Sequence, residues 1–143
     1  MSDPGDLKRF IDAQEGIYGT VLAELREGSK RSHWMWFIFP QLRGLGSSPA
    51  AQHYGIASLD EARSYLQHPL LGARLHECVE AIMPWSHRLS AEQIFGSIDA
   101  LKLRSSLTLF DQLEPGGLFA MALAGFYAGD PDQRTLALLN GAQ

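Results

Sequence analysis

The chain has 143 residues, 45% of them apolar and 20% charged, so it is long enough to bury a core and too apolar for general disorder. A single cysteine excludes an internal disulfide framework and any multi-cysteine metal cage. A formal net charge of -4 disfavours a nucleic-acid partner, which requires cations in excess against phosphate.

One domain is expected over 1–143, with residues 1–5 a flexible tail. Leu7, Phe10, Ile11, Gln14, Tyr18, Val21, Leu22 and Leu25 recur at three-four spacing, which predicts one long helix over 7–27. Asp6 is its expected N-cap, and Gly28 can take the left-handed conformation that ends it. Gln14 and Tyr18 lie on or beside the apolar face, so their polar ends need partners if buried. Residues 30–41 read as a buried strand or a short buried helix, stopped by Pro40. Residues 44–49 form a loop that delivers Ser48 as an N-cap and Pro49 as a first helical residue, for a helix ending near Gly55.

Ser58 and Glu61 carry the spacing of a capping box, heading a helix to about His68. Pro69 opens the next helix. Its stripe of Leu71, Leu75, Cys78, Val79, Ile82 and Met83 runs up to Pro84. Ser90 and Gln93 make a second capping box, for a helix that stops at Gly96. Helices over 99–112 and 118–128 follow, and Asp132 caps a last one through Leu139. The pattern is all-α: a single compact multihelical domain of short helices packed around a long N-terminal helix, and not a regular four-helix bundle. The longest apolar run, Trp34 to Pro40, is far short of the roughly 20 residues that span a bilayer, so no membrane partner is expected. The first residues carry no basic stretch leading into an apolar one, which makes the cytoplasm the expected compartment.

The run KRSHWMWFIFPQLRGLGSS, Lys30 to Ser48, is long, tryptophan-rich and distinctive. It resembles the bacterial domain of unknown function family eighteen-ten, often mislabelled calpastatin-like. The resemblance continues through Ala13-Gln14, YLQHPLLGARL at Tyr65 to Leu75, Ile94 to Gly96, LKLRSSLTLF at Leu101 to Phe110, Phe126-Tyr127 and Arg134-Thr135-Leu136. It implies a compact multihelical fold. It implies no activity, because the family brings no established catalytic or binding residues. Calpain inhibition by calpastatin depends on disordered repeats, which this chain lacks.

Charge is unevenly spread. Lys30, Arg31 and Arg43 occur in a stretch without an acid, a local basic surface that suits a small anion better than a polyanion. Lys30, Ser32, His33, Trp34, Trp36 and Gln41 combine cationic and neutral donors with flat rings, the chemistry that holds a phosphate or a nucleobase. If the segment is helical, His33, Trp36 and Phe37 share a face and Trp34 lies on another. Gln14 and Tyr18 would supply a wall, and Lys102 would complete the positive field. His33 is the candidate general acid or base, since an imidazole can give or take a proton near neutral pH. The Gly44-to-Pro49 loop resembles an anion cradle, although it lacks the third glycine of a dinucleotide fingerprint and the lysine of a P-loop.

The expected function is therefore binding of a small anionic or nucleotide-like ligand at the Lys30–Ser48 motif, with no cofactor, reaction class or oligomeric state assigned. Packing is the competing account of the same aromatic residues. The competing function is a protein-interaction module with no catalytic activity, which requires an exposed apolar patch and no polar cavity. No metal site is expected: His76-Glu77-Cys78-Val79-Glu80 begins like a zincin motif, but Glu80 stands where the second histidine belongs. Lys102 with Ser105 and Ser106 resembles a Ser-Lys pair, and close helix packing accounts for it more simply.

Overall fold

The N-terminal apolar spacing is carried by two helices and not by one. In the computed structural model, which describes residues 7–141, α1 spans Lys8–Gln14 and α2 spans Tyr18–Glu27. Gly16 stands between them at φ 80°, a left-handed conformation that breaks helical hydrogen bonding. The predicted helix over 7–27 is corrected accordingly. Phe10 and Gln14 before the break and Val21, Leu22 and Leu25 after it are all buried. Periodicity reports which residues face the core, and it does not report whether the axis is continuous. The tail at 1–5 and the Asp6 cap lie outside the described residues.

Gly28 closes α2 at φ 71° as expected. The tryptophan-rich segment forms the short helix α3, Met35–Ile38. Beyond Pro40 the chain makes an isolated parallel bridge, Leu42 to Ile56, in which the Ile56 N–H donates to the Gln41 carbonyl at 2.9 Å. Inside that bridge sits α4, Pro49–Tyr54, with the Ser48 hydroxyl accepting from the Ala51 N–H at 3.1 Å.

In α5, Leu59–Gln67, only half of the expected capping box forms. The Ser58 hydroxyl accepts from the Glu61 N–H, but the Glu61 carboxylate takes the Ala57 N–H at 2.6 Å and pairs with buried Arg9 at 3.2 Å. A long-range ion pair has redirected a local cap. Helix α6, Leu71–Ile82, begins with His68 Nδ1 accepting from the Leu70 and Leu71 N–H groups, and a 3-10 turn at Met83–Trp85 ends it. The reciprocal box of Ser90 and Gln93 heads α7, Ala91–Phe95. Then come α8, Ser97–Asp111, α9, Leu118–Tyr127, and α10, Gln133–Gly141. Asp132 caps the last by accepting from the Thr135 N–H and hydroxyl.

The described residues form an all-α domain gathered around α6 and α8, and not around the N-terminus. Helix α8 packs against α5, α7, α9 and α10, and α6 packs against α2, α5 and α9. The reason is in the α8 sequence. Leu103, Leu107, Leu109 and Phe110 are buried together with the small polar Ser105, Ser106 and Thr108, so most of its circumference admits close neighbours. Among the described residues, no helix is long and apolar enough to cross a membrane.

Gly72 permits the α5–α6 approach, because a Cβ there would lie 2.0 Å from the Leu66 carbonyl oxygen. Gly16 has open space and only its positive φ to defend. Gly72→Ala should therefore cost about 3 kcal/mol by overpacking, and Gly16→Ala about 1 kcal/mol. Urea unfolding of both variants checks the order; equal losses would contradict it.

Candidate functional site

The site is built on one buried acid. Glu24, near the end of α2, is 4% exposed. Its Oε1 accepts from the Arg31 N–H at 2.8 Å, the Ser32 N–H at 3.1 Å and the Trp34 indole at 3.0 Å, and its Oε2 accepts from the Ser32 hydroxyl at 2.6 Å. Burial alone would raise its pKa, but these donors, the Ser32 hydroxyl foremost, favour the carboxylate and bring it down to about 2. The segment after α2 is thereby wrapped around a fixed negative charge.

Lys30 extends the network. Its ammonium donates to the Ser32 carbonyl at 2.6 Å, pairs with Asp99 Oδ2 at 2.9 Å and lies 5.0 Å from the Trp34 ring centre. The other Asp99 oxygen takes Lys102 at 3.0 Å, and Lys102 sits 4.4 Å over the Trp36 ring. Burial opposes charge on Asp99, but the two lysines outweigh it and hold the carboxyl below its ordinary pKa. A chain of polar contacts thus runs from α2 through Lys30 and Asp99 to Lys102 on α8.

The predicted site residues divide between this interior network, the surface and one cleft. Gln14 is interior: its Nε2 donates to the Phe37 carbonyl at 2.8 Å and the Tyr65 hydroxyl at 3.3 Å, and its Oε1 accepts from Arg74 at 3.1 Å. Tyr18 donates to Glu77 at 2.5 Å under the Arg74 guanidinium, and burial, aided by Glu77, raises its pKa. Lys30, Ser32 and Trp34 are engaged as described above. His33 is exposed and bonds to no described residue. Lys30 and His33 are not among the residues of the cleft that Gln41 lines: Lys30 pairs with Asp99, and His33 is exposed.

Trp36, Gln41 and Lys102 do come together. They line a cleft of about 330 Å³ between the tryptophan-rich segment and α8. Leu45, Leu101 and Ile98 provide its apolar surface, and Ser105, Asp132 and Arg134 its remaining polar groups. Gln41 is 9% exposed, and its side-chain amide bonds to no described residue. Arg134 donates to the Leu45 carbonyl at 3.0 Å, which ties the glycine loop to α10. One Asp132 oxygen is occupied by Thr135, and the Ser105 hydroxyl donates to the Leu101 carbonyl at 3.1 Å. Sequence reasoning did not assign Asp132 or Arg134 to a site. They are remote from residue 41 in the chain, and the available signal was an N-cap for one and a shared family tripeptide for the other.

The remaining motifs resolve structurally. Lys102 turns to Asp99 and forms no pair with Ser105 or Ser106. Burial pushes the Cys78 thiol up to about 12, which makes it a poor nucleophile. Among the described residues no group of His, Cys, Asp and Glu is disposed to hold a metal. His76 instead places Nδ1 2.8 Å from the Gly72 carbonyl and Nε2 2.9 Å from Glu114. Both partners are acceptors, so the imidazolium, which donates from both nitrogens, satisfies them.

A family model described as Protein of unknown function (DUF1810) matches residues 4–139. The chain belongs to the DUF1810 family. This agrees with the resemblance carried by Lys30 to Ser48. Among solved structures, the chain is similar to the conserved hypothetical protein Rv1873 from Mycobacterium tuberculosis, at 55% identity and a TM-score of 0.90. That likeness covers 96% of this chain and 99% of the other. Among curated proteins there is no match. The DUF1810 description names no activity, so function is read from the cleft.

Two pH effects of opposite sign follow. The Glu24 carboxyl has its pKa lowered on folding from 4.5 to about 2, so its stabilisation is complete above pH 4.5 and fades as pH falls toward 2. Glu24→Gln should cost about 2–3 kcal/mol near neutral pH, leaving donors unmatched, and should flatten that acid limb in urea unfolding. For His76, burial alone would lower the pKa, but Glu114 and the Gly72 carbonyl raise it above 6.5. Its stabilisation is present below pH 6.5 and is lost as pH rises through the raised value. His76→Gln should therefore lower Tm more at about pH 6 than at about pH 9, and the reverse order would contradict the assignment.

Proposed function

We propose that this protein binds a small anionic, nucleotide-like ligand in the cleft of Trp36, Gln41, Lys102 and Arg134. The carrying observation is the sharing of Asp99 between two lysines: Lys30 and Lys102 both pair with it, at 2.9 and 3.0 Å. One carboxylate cannot neutralise two ammonium groups, so net positive charge remains where Lys102 borders the cleft. Arg134 adds a second cation, which donates to the neutral Leu45 carbonyl, and Asp132 is the carboxylate of the lining. Cations thus exceed acids by a margin that suits a small anion. Trp36, Leu45 and Leu101 offer flat or apolar contact for an uncharged ring.

The size supports the same reading. Ligand sites run from roughly 300 to 1,000 Å³, and this cleft lies at the lower end. One ring with one acidic group suits it, and a dinucleotide cofactor does not. The cytoplasmic location expected from the sequence belongs to the same proposal.

Ile98 at 70% and Leu101 at 63% exposure favour the second reading, a protein-interaction module without catalysis. Two side chains on successive turns fall well short of the several hundred Å² that mark protein interfaces. A lip over a bound ring accounts for them equally well.

Adenosine 5'-monophosphate is the probe, with binding followed by titration calorimetry. Lys102→Ala and Arg134→Ala should each weaken binding about tenfold, the value of one charge-assisted hydrogen bond, and Arg43→Ala should leave it unchanged. Absence of binding to the wild-type protein, or binding indifferent to Lys102 and Arg134, would contradict the proposal.

A further inference from the structure

We infer that Gln41 is the specificity-determining residue of this cleft and selects a heterocycle whose edge carries a hydrogen-bond donor beside an acceptor, as a nucleobase does. The inference rests on the cleft reading above and adds to it what part of the ligand is read, and by which atoms.

Gln41 differs from the other buried amide and from the buried carboxylate Glu24. Gln14, 1% exposed, fills its amide with Phe37, Tyr65 and Arg74. Glu24, 4% exposed, fills its carboxylate from Arg31, Ser32 and Trp34. Gln41 is more than nine-tenths buried, yet neither its Oε1 nor its Nε2 bonds to a described residue. Neither atom is sealed off either, because the unpartnered buried side-chain atoms among the described residues are Ser106 Oγ and Asp111 Oδ1. What remains open of Gln41 faces the cleft it lines.

For packing alone, this position accepts an aliphatic side chain. Trp36, Leu45 and Leu101 line the same cleft, and the amide makes no bond to the protein that leucine would lose. The backbone here is held on both sides. Pro40 restricts the chain before Gln41, the Gln41 carbonyl accepts from the Ile56 N–H at 2.9 Å, and Leu42 is in the bridge. An amide on a restrained backbone, unfilled by the protein and set in a cleft of mixed polar and apolar lining, is an arrangement suited to a ligand. The amide sets an acceptor and a donor side by side in one plane. That pair complements the amino and ring-nitrogen edge of adenine, and the equivalent edges of other bases. Lys102 and Arg134 stand beside the same cleft to take the acidic group.

Adenosine 5'-monophosphate and phenyl phosphate separate the two levels. Both carry a phosphate monoester and a flat ring, and only the first has the donor–acceptor edge. Wild-type protein should bind the nucleotide about tenfold or more tightly than phenyl phosphate. In Gln41→Leu that preference should collapse toward unity because nucleotide affinity falls, and the Tm of the unliganded variant should hold. Equal binding of the two probes by the wild type, or a preference that survives in Gln41→Leu, overturns the inference while loss of binding in Lys102→Ala would still uphold the anion site. A steep fall in Tm for Gln41→Leu makes the residue structural and also overturns it. If neither probe binds, the anion site and the role of Gln41 fall together.

Discussion

The Glu24 carboxylate, sunk near the C-terminal end of α2, gathers the Arg31 and Ser32 N–H groups, the Ser32 hydroxyl and the Trp34 indole. A buried charge is tolerated only when its lone pairs are filled, and here they are filled by a segment with no long secondary structure of its own. The consequence is positional. Once residues 31–34 are pinned, the short α3 starts at Met35, Trp34 enters the core beside Phe39 and Phe95, and Trp36 is left half-buried at the cleft. Lys30, next to the pinned residues, reaches Asp99 and so fixes this segment to α8. The cleft is the space between two elements that these charges hold together.

This economy explains why neighbouring residues of similar chemistry meet different fates. Trp34 and Trp36 are two positions apart. The first spends its indole N–H on Glu24 and is 1% exposed, and the second keeps its ring at a surface under Lys102. Gln14 and Gln41 divide in the same way. Gln14 links α1 to the end of α3 and to α6 through Phe37 and Arg74, whereas Gln41 has a restrained backbone and an unused side chain. Polar residues at the margin of an apolar run therefore do two jobs, and the difference lies in whether the protein itself supplies a partner.

What could be read from the sequence follows the range of the forces involved. Ser48, Ser90 and Asp132 act as the caps that their positions predict, because a cap joins residues three apart and needs no tertiary information. Ser58 does so only in part, since Glu61 answers to Arg9 from another helix. The break at Gly16 was illegible because buried positions continue on both sides of it. Trp36, Gln41 and Lys102 were legible as chemistry, a ring, an amide and a cation. Their separation from Lys30 and His33 was not, because it depends on Glu24 and Asp99, acids that no local pattern links to the tryptophan-rich run. Arg134 and Asp132 enter the cleft from the far end of the chain, where only the tertiary fold brings them.

The interior polar network around Glu24 and Asp99 is closed, whereas the Gln41 amide and the Trp36 ring are left at the cleft to meet a ligand. A titration of the side-chain amide and indole N–H resonances with adenosine 5'-monophosphate tests it directly. The Gln41 amide and the Trp36 indole should shift progressively, while the Gln14 amide and the Trp34 indole stay in place. Movement of Gln14 and Trp34 with Gln41 and Trp36 stationary would contradict it.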